Sequence, residues 1–274
     1  MNRVLRGMGA TLLCSCLFTT RARAQEELIT SHDLAVVGAA TAGAALLSLY
    51  DVRIARAVGD TALHVQHTGF ATAAKRASFV TETVLMATGG AVYVVAKHEQ
   101  NEAAADIALH STISVLSAAT FIQVVRGMAG RARPYLVDEN GQLRDSNPYD
   151  FSLWHGFTSF DYRSFPSMHA MASFAVASAL SQEMRFRHTR GRDVISPVLY
   201  AGASMPALAR LYLDEHWASD IALGAFLGVL SGQKVVQYTH SHPNNWLDRK
   251  FLGSRATATV SIGANGFSFG IAPF

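Results

Sequence analysis

Cysteine is almost missing from this chain: Cys14 and Cys16 are the two among 274 residues. Both fall within the first 24 residues. The remainder therefore has no thiol, disulfide, CxxC redox pair or cysteine-based zinc site. Charge is scarce too, at 16% of residues against 50% hydrophobic. The formal net value of +3 belongs to the first segment, where Arg3, Arg6, Arg21 and Arg23 stand without an acid. Beyond it, 19 basic residues face 20 acidic ones, so there is no electrostatic case for nucleic acid. Long apolar runs are also wanting. Leu34–Tyr50 and Ile107–Val125 are 17 and 19 uncharged residues, below the roughly 20 of a membrane span. No internal repeat or low-complexity tract occurs. What is left is ample for one sizeable core.

The first 24 residues read as a secretory signal. Arg3 and Arg6 precede an apolar stretch from Met8 to Phe18, and Ala22-Arg23-Ala24 is a small-x-small cleavage site. An ordinary N-terminal helix is the alternative. Residues 25–245 then form one helical domain, and 246–274 a tail. Helical patterns cover Leu34–Tyr50, the amphipathic Asp51–Ser78, Thr83–Ala96, Ile107–Val125, Met168–Ser181, Val194–Leu213 and His216–Tyr238. Pro197 and Pro206 should bend the sixth of these. Residues 135–165 lack periodicity and read as a long ordered loop, with Trp154, His155 and Phe157 packing it. Loops of that length are usually functional. Arg185, Arg187, Arg190 and Arg192 form a basic connector. Thr257–Ile271 switches to period two around Asn265-Gly266, a hairpin signal. The fold expected is all-α, a helical bundle with a small C-terminal β-hairpin.

Three clusters carry the chemistry. In the first, Arg126 and Arg133 are two helical turns apart, so both face one way, and Pro134 stops the helix. Guanidinium pairs suit an oxyanion with several oxygens. Arg131 reads as a solvated or juxtamembrane charge. In the second, Ser164 to His169, Ser167 is placed to cap a helix whose free N–H groups bind anions. His169 sits in the same turn. In the third, Arg210, His216 and Asp220 follow one another. The spacing of four places His216 and Asp220 on one helix face, where the carboxylate could fix the imidazole tautomer. Asp214 would cap that helix. His64 and His67, and His240 and His242, are pairs without a third ligand and are expected to bind no metal.

The pattern Arg-x6-Arg-Pro, Pro-Ser-x-His, Arg-x5-His-x3-Asp resembles the signature of the type 2 phosphatidic acid phosphatase (PAP2) superfamily, which also includes vanadium haloperoxidases. The resemblance covers about residues 80–240. It departs from the family at Arg126 (often lysine), Met168 (usually glycine) and Ala209 (usually serine). The resemblance implies a bundle of the PAP2/haloperoxidase type and a metal-independent phosphatase without a cofactor. Its His216 takes the phosphoryl group, Asp220 orients His216, and His169 protonates the leaving oxygen. Arg126, Arg133, Ser167, Met168 (through its N–H) and Arg210 hold phosphate. Substrates would be phosphate monoesters or lipid phosphates. A vanadate-dependent haloperoxidase and a non-catalytic anion-binding protein are the alternatives. Weak spans favour an exported, periplasmic or membrane-associated protein with an extracytoplasmic site. A multi-pass integral membrane protein is the alternative.

Overall fold

A computed structural model describes residues 29–58, 68–135, 147–243, 245–253, 256–263 and 266–273. The expected signal segment, both cysteines, His64 and His67 lie outside the described residues. The helices are α1 (Ser31–Leu47), α2 (Asp51–Val58), α3 (Thr68–Ala77), α4 (Glu82–His98), α5 (Glu102–Ala129), α6 (Met168–Phe186), α7 (Arg192–Tyr212), α8 (Ala218–Ser241) and α9 (Trp246–Phe251). The all-α bundle expected from sequence is what forms. Strands β1 (Ala256–Gly263) and β2 (Gly266–Pro273) pair antiparallel, from Ala256 with Pro273 to Gly263 with Gly266. The expected hairpin is thus present.

Local chemistry sets the helix ends. Thr30 and Asp33 cap α1 reciprocally, Thr81 caps α4 and Asn101 caps α5 through their side chains. Gly130, at φ 58°, ends α5 in the left-handed conformation. The stop therefore comes before Arg131, not at Pro134 as the sequence reading had it. Arg133 reaches the site from non-helical chain.

Helix α6 is the centre of the bundle. Ala170, Met171, Ala172, Ala175 and Ala179 on it are fully buried. Helix α8 meets it through Gly224, Gly228 and Gly232. A Cβ on these would lie 2.4 Å from Ser167 O, 2.2 Å from Met171 O and 2.6 Å from Ser178 Cβ. Small residues at that spacing let backbones approach closely, as in membrane helix pairs. Hydroxyls add interhelical bonds: Ser178 Oγ donates to Val229 O at 2.8 Å, and Ser231 Oγ to Ser114 O at 2.7 Å. On its other side α6 packs against Val115, Ala118 and Ile122 of α5.

The outside of the bundle is apolar. Leu46, Leu49, Val95, Phe121, Val198 and Leu208 are all exposed. By length and composition, Ser31–Val58, Glu102–Ala129 and Arg192–Tyr212 could each cross a membrane. Helices α3 and α4, bent by 59° at their junction, make a fourth candidate. So much contiguous apolar surface needs a cover, and it makes this a membrane-associated protein. The short runs read from sequence understated this, because Glu102, Asp106 and Arg192 lie near helix ends and do not interrupt the apolar middle.

Candidate active site

Four helix ends meet at one end of the bundle: the last turns of α5 and α7 and the first turns of α6 and α8. They bring all three sequence clusters together. Arg126 ends α5 and Arg210 ends α7, both buried. Arg133 is 3% exposed, with its guanidinium 4.1 Å from the centre of the Phe160 ring. Arg126 lies within electrostatic reach of Arg133 and Arg210. Among the described residues, the Nε atoms of Arg126 and Arg210 and the hydroxyl of Ser167 are buried without a partner. Ser167 does stand at the N-cap position of α6, but its hydroxyl caps nothing. The N–H groups of Met168 to Ala170 have no intrahelical acceptor, as in any first helical turn. Unsatisfied buried donors are costly. Several around one point describe a cradle for an oxyanion.

Met168 does not disturb that cradle. Its side chain is 5% exposed and packs with Val115, Ala118, Ile122 and Met171. The Cβ that glycine would lack points into the core, and the N–H stays at the helix start.

His216 is buried and lies before α8, in the turn that leads to it. Its Nδ1 is 2.7 Å from Ser164 O. A carbonyl can only accept, so Nδ1 carries the hydrogen and Nε2 keeps its lone pair. The direct His216–Asp220 hydrogen bond expected from helical spacing is not made: Nδ1 and Asp220 Oδ2 are 3.8 Å apart. Asp214 is not the cap either. It has φ 53°, and the chain turns once more before α8 starts. Asp220 acts one step back. Its carboxylate accepts from Ser164 Oγ at 2.5 Å and from Trp217 N at 2.9 Å, and its carbonyl accepts from Ser167 N at 3.0 Å. It therefore positions both Ser164, which holds His216, and Ser167.

Burial is the main force on both histidines. It pushes His216 down to about 4, with Arg133 and Arg210 adding to the effect and Asp220 opposing it. His169 is pushed down to about 3 by burial, then by Arg210 and His216. Both are neutral at physiological pH. The Nε2–H of His169 donates to Ser78 O at 3.1 Å, which leaves Nδ1 to take up a proton. Burial also works against ionisation of Asp220, yet the proximity of His216 and Arg131 holds its carboxyl below the usual range.

Four participants were not found from sequence. Arg131 is not a solvated charge: it is 2% exposed. It pairs with Asp220 and with Asp51 Oδ2 at 2.8 Å, and donates to Ser219 Oγ and Pro148 O. Its guanidinium lies 5.5 to 5.9 Å from the ring centres of Phe151, Phe165 and Trp217. Asp51, at the start of α2, also accepts from Ser219 N at 2.9 Å and Ser219 Oγ at 2.5 Å. An acid directly after 17 uncharged residues was the available signal. Ser164 heads the second cluster, and nothing in its local sequence shows that its carbonyl holds His216. Glu215 bridges Arg133 and Arg210, the latter at 2.7 Å. It thus lies across the two arginines a phosphate would need.

The described part of loop 135–165 holds two short 3-10 turns, His155–Phe157 and Phe160–Tyr162. Trp154 N donates to Met128 O and Arg133 N to Asp161 O, so the loop closes over the end of α5, a place the sequence did not indicate. A Cβ on Gly127 would strike the Phe157 ring at 2.3 Å. Tyr149, Leu153, Trp154 and Phe160 leave an exposed aromatic and apolar rim.

The profile of the PAP2 superfamily matches residues 107–243. No curated protein sequence matches the chain. Among solved structures, the chain is similar to a transmembrane PAP2-type phosphatidylglycerolphosphate phosphatase from Bacillus subtilis. The identity is 16%, over 72% of this chain and 96% of that one, with a TM-score of 0.37.

Proposed function

This chain belongs to the PAP2 superfamily, and on that premise we propose that it hydrolyses lipid phosphates without a metal, through a phosphohistidine. The observation that carries the reading is the pairing of a lone pair on His216 Nε2 with the partnerless donors of Arg126, Arg210 and Ser167. One offers a nucleophile and the others offer charge stabilisation for phosphoryl transfer.

In the proposed reaction, Nε2 of His216 attacks phosphorus and the bond to the leaving oxygen breaks. Arg126, Arg133, Arg210, Ser167 and the first N–H groups of α6 hold the equatorial oxygens. His169 is neutral in the free site because burial and cations keep it so. A bound phosphate offsets those cations and lets Nδ1 take a proton, which it then gives to the leaving oxygen. Water next attacks the phosphohistidine, with His169 taking its proton, and releases phosphate.

Two features favour a lipid over a soluble ester. The rim of the site is aromatic and exposed, as at a membrane interface. An apolar groove of about 350 Å³ also lies one turn along α6 from His169, lined by Ser173 with Ala77, Val80, Leu85, Val176 and Leu199. Ala77 precedes the residue whose carbonyl His169 touches. The basic run Arg185 to Arg192 lies at the opposite end of the bundle. Positive charge favours the cytoplasmic face, which supports an extracytoplasmic site.

The test is phosphate release from a lipid phosphate and a water-soluble aryl phosphate, side by side, without added metal. Turnover should favour the lipid, vanish in His216→Ala and slow strongly in Asp220→Asn. Normal turnover by folded His216→Ala would overturn the assignment. Halide oxidation that needs vanadate would support the haloperoxidase alternative, and phosphate binding without turnover the non-catalytic one.

A further inference from the structure

At the far end of the bundle lies a second buried polar cluster that the phosphatase reading does not use. Glu183 on α6 is fully buried, and it meets His110 of α5 and His240 of α8. His110 Nδ1 is 2.5 Å from Glu183 Oε1, and His240 Nε2 is 3.1 and 3.2 Å from the two carboxylate oxygens. The three ligand atoms lie within 4.8 Å of one another. The helical pattern read from sequence stops at Tyr238, but α8 runs on through Ser241 and carries His240 inward. Fourteen residues, about 21 Å at 1.5 Å per residue, separate Glu183 from His169 along α6.

We propose that His110, Glu183 and His240 form a structural binding site for a divalent transition cation of the zinc class. Two imidazoles and one carboxylate are a zinc-type donor set, whereas magnesium and calcium prefer all-oxygen ligands. Ligand bonds of about 2.0–2.2 Å can be reached from this spacing with small side-chain movements.

The surroundings fit a metal site in two further ways. The other nitrogen of His110 faces Asp248 Oδ1 at 3.3 Å. That is the carboxylate–histidine arrangement that fixes the tautomer of a metal-bound imidazole. The Glu183 carboxylate is itself held by Arg187 Nε at 2.9 Å. The second feature is charge. Asp106, Glu183 and Asp248 bring three negative charges into or beside the cluster, and Arg187 brings one positive. Buried charge must be compensated, and the deficit of two matches one divalent cation on neutral imidazoles. Protons on both histidines would balance it equally, and the experiment separates the two. Such an ion would tie α5, α6 and α8 together opposite the phosphate site, with α9 joined through Asp248. Tyr93 fastens α9 in turn, its hydroxyl donating to Phe251 O at 2.5 Å.

The test uses the full chain in detergent, without a polyhistidine tag, stripped with chelator and titrated with Zn²⁺. One equivalent should survive gel filtration and raise the thermal unfolding midpoint. In His240→Gln both effects should vanish, since the amide keeps a donor for Glu183 but removes the imidazole. Asp248→Asn should keep the stoichiometry and weaken affinity roughly 10–100-fold. Phosphate release, measured on the same samples, reports folding at the distant site. Failure of the wild-type protein to retain Zn²⁺, or equal retention by His240→Gln, would overturn the proposal in favour of a proton-bridged network.

Discussion

Asp51→Asn is the most informative single change. Asp51 is fully buried and accepts three hydrogen bonds, two from Ser219 and one from Arg131. Asparagine has the same shape but one acceptor oxygen. Its amide N–H groups would have to face either the Ser219 N–H or both Arg131 and the Ser219 hydroxyl, where donors already stand. Breaking a buried ion pair costs about 3–5 kcal/mol. Arg131 keeps Asp220 and Pro148 O, so the lower end applies, about 3 kcal/mol. For a domain of this size that is a drop of roughly 6–12 °C in the unfolding midpoint. The rate should also suffer. Freed from Asp51, Arg131 draws the Asp220 carboxylate away from Ser164 Oγ and Trp217 N, and His216 loses its fixed orientation. Small displacements of a nucleophile cost up to about a hundredfold, so kcat should fall roughly tenfold to a hundredfold with KM little changed. Asp33→Asn is the control: it breaks the 2.6 Å contact of α1 with Lys234, far from Asp220, and should lower the midpoint without touching kcat. Asp51→Asn with wild-type kcat would refute the relay from α2 to His216, whatever its stability.

Three further outcomes follow from the same geometry. Glu215→Gln removes the carboxylate that bridges Arg133 and Arg210; inhibition by inorganic phosphate should tighten roughly tenfold, the scale of one charged hydrogen bond, and weaker inhibition would show that Glu215 holds the arginines rather than occupying them. Met168→Gly, which restores the family's residue, should cost about 3 kcal/mol of stability through the cavity it leaves and bring no gain in kcat; a faster variant would show that the Met168 side chain restricts the cradle. The pH dependence has a definite sign. His216 sits at about 4 folded against 6.5 unfolded, so the unfolded chain binds the extra proton between those values, and stability should fall as pH drops from 6.5 to 4, by up to about 3 kcal/mol at 1.4 per unit. Denaturation of ligand-free protein at pH 7 and 4.5 measures it; His169, at about 3 folded, adds a loss of the same sign in that window, so His216→Ala should remove about half of the slope; Asp220, lowered instead, loses its contribution only below about pH 4.

The sequence spoke clearly wherever the relevant physics is local. Apolar periodicity located the helices, Asn265-Gly266 marked the hairpin, and three short motifs named Arg126, Arg133, Ser167, His169, Arg210, His216 and Asp220, which the fold brings to one end of the bundle. What it hid was partnership. Arg131 and Asp51 are 80 residues apart, and Asp51 and Ser219 are 168 apart; no period or cap encodes such a pair. Even the contact of His216 and Asp220, four apart, was misjudged, because the chain turns before α8 begins and hands the imidazole to Ser164 O. Yet a weaker inference was available. In a chain with so little charge, an ionisable residue on an apolar helix cannot stay buried alone, because desolvation costs several kcal/mol unless a partner compensates. His110 and Glu183 stand on such helices, Asp51 directly follows one, and each is buried. Their sequence surroundings required that partners exist and left open which ones. The fold answers with two separate networks. One runs from Asp51 through Arg131 to Asp220 and the buried donors of the candidate site, and the other joins His110, Glu183 and His240 at the opposite end, so α6 carries a buried polar anchor near both of its ends with an alanine-rich core between them.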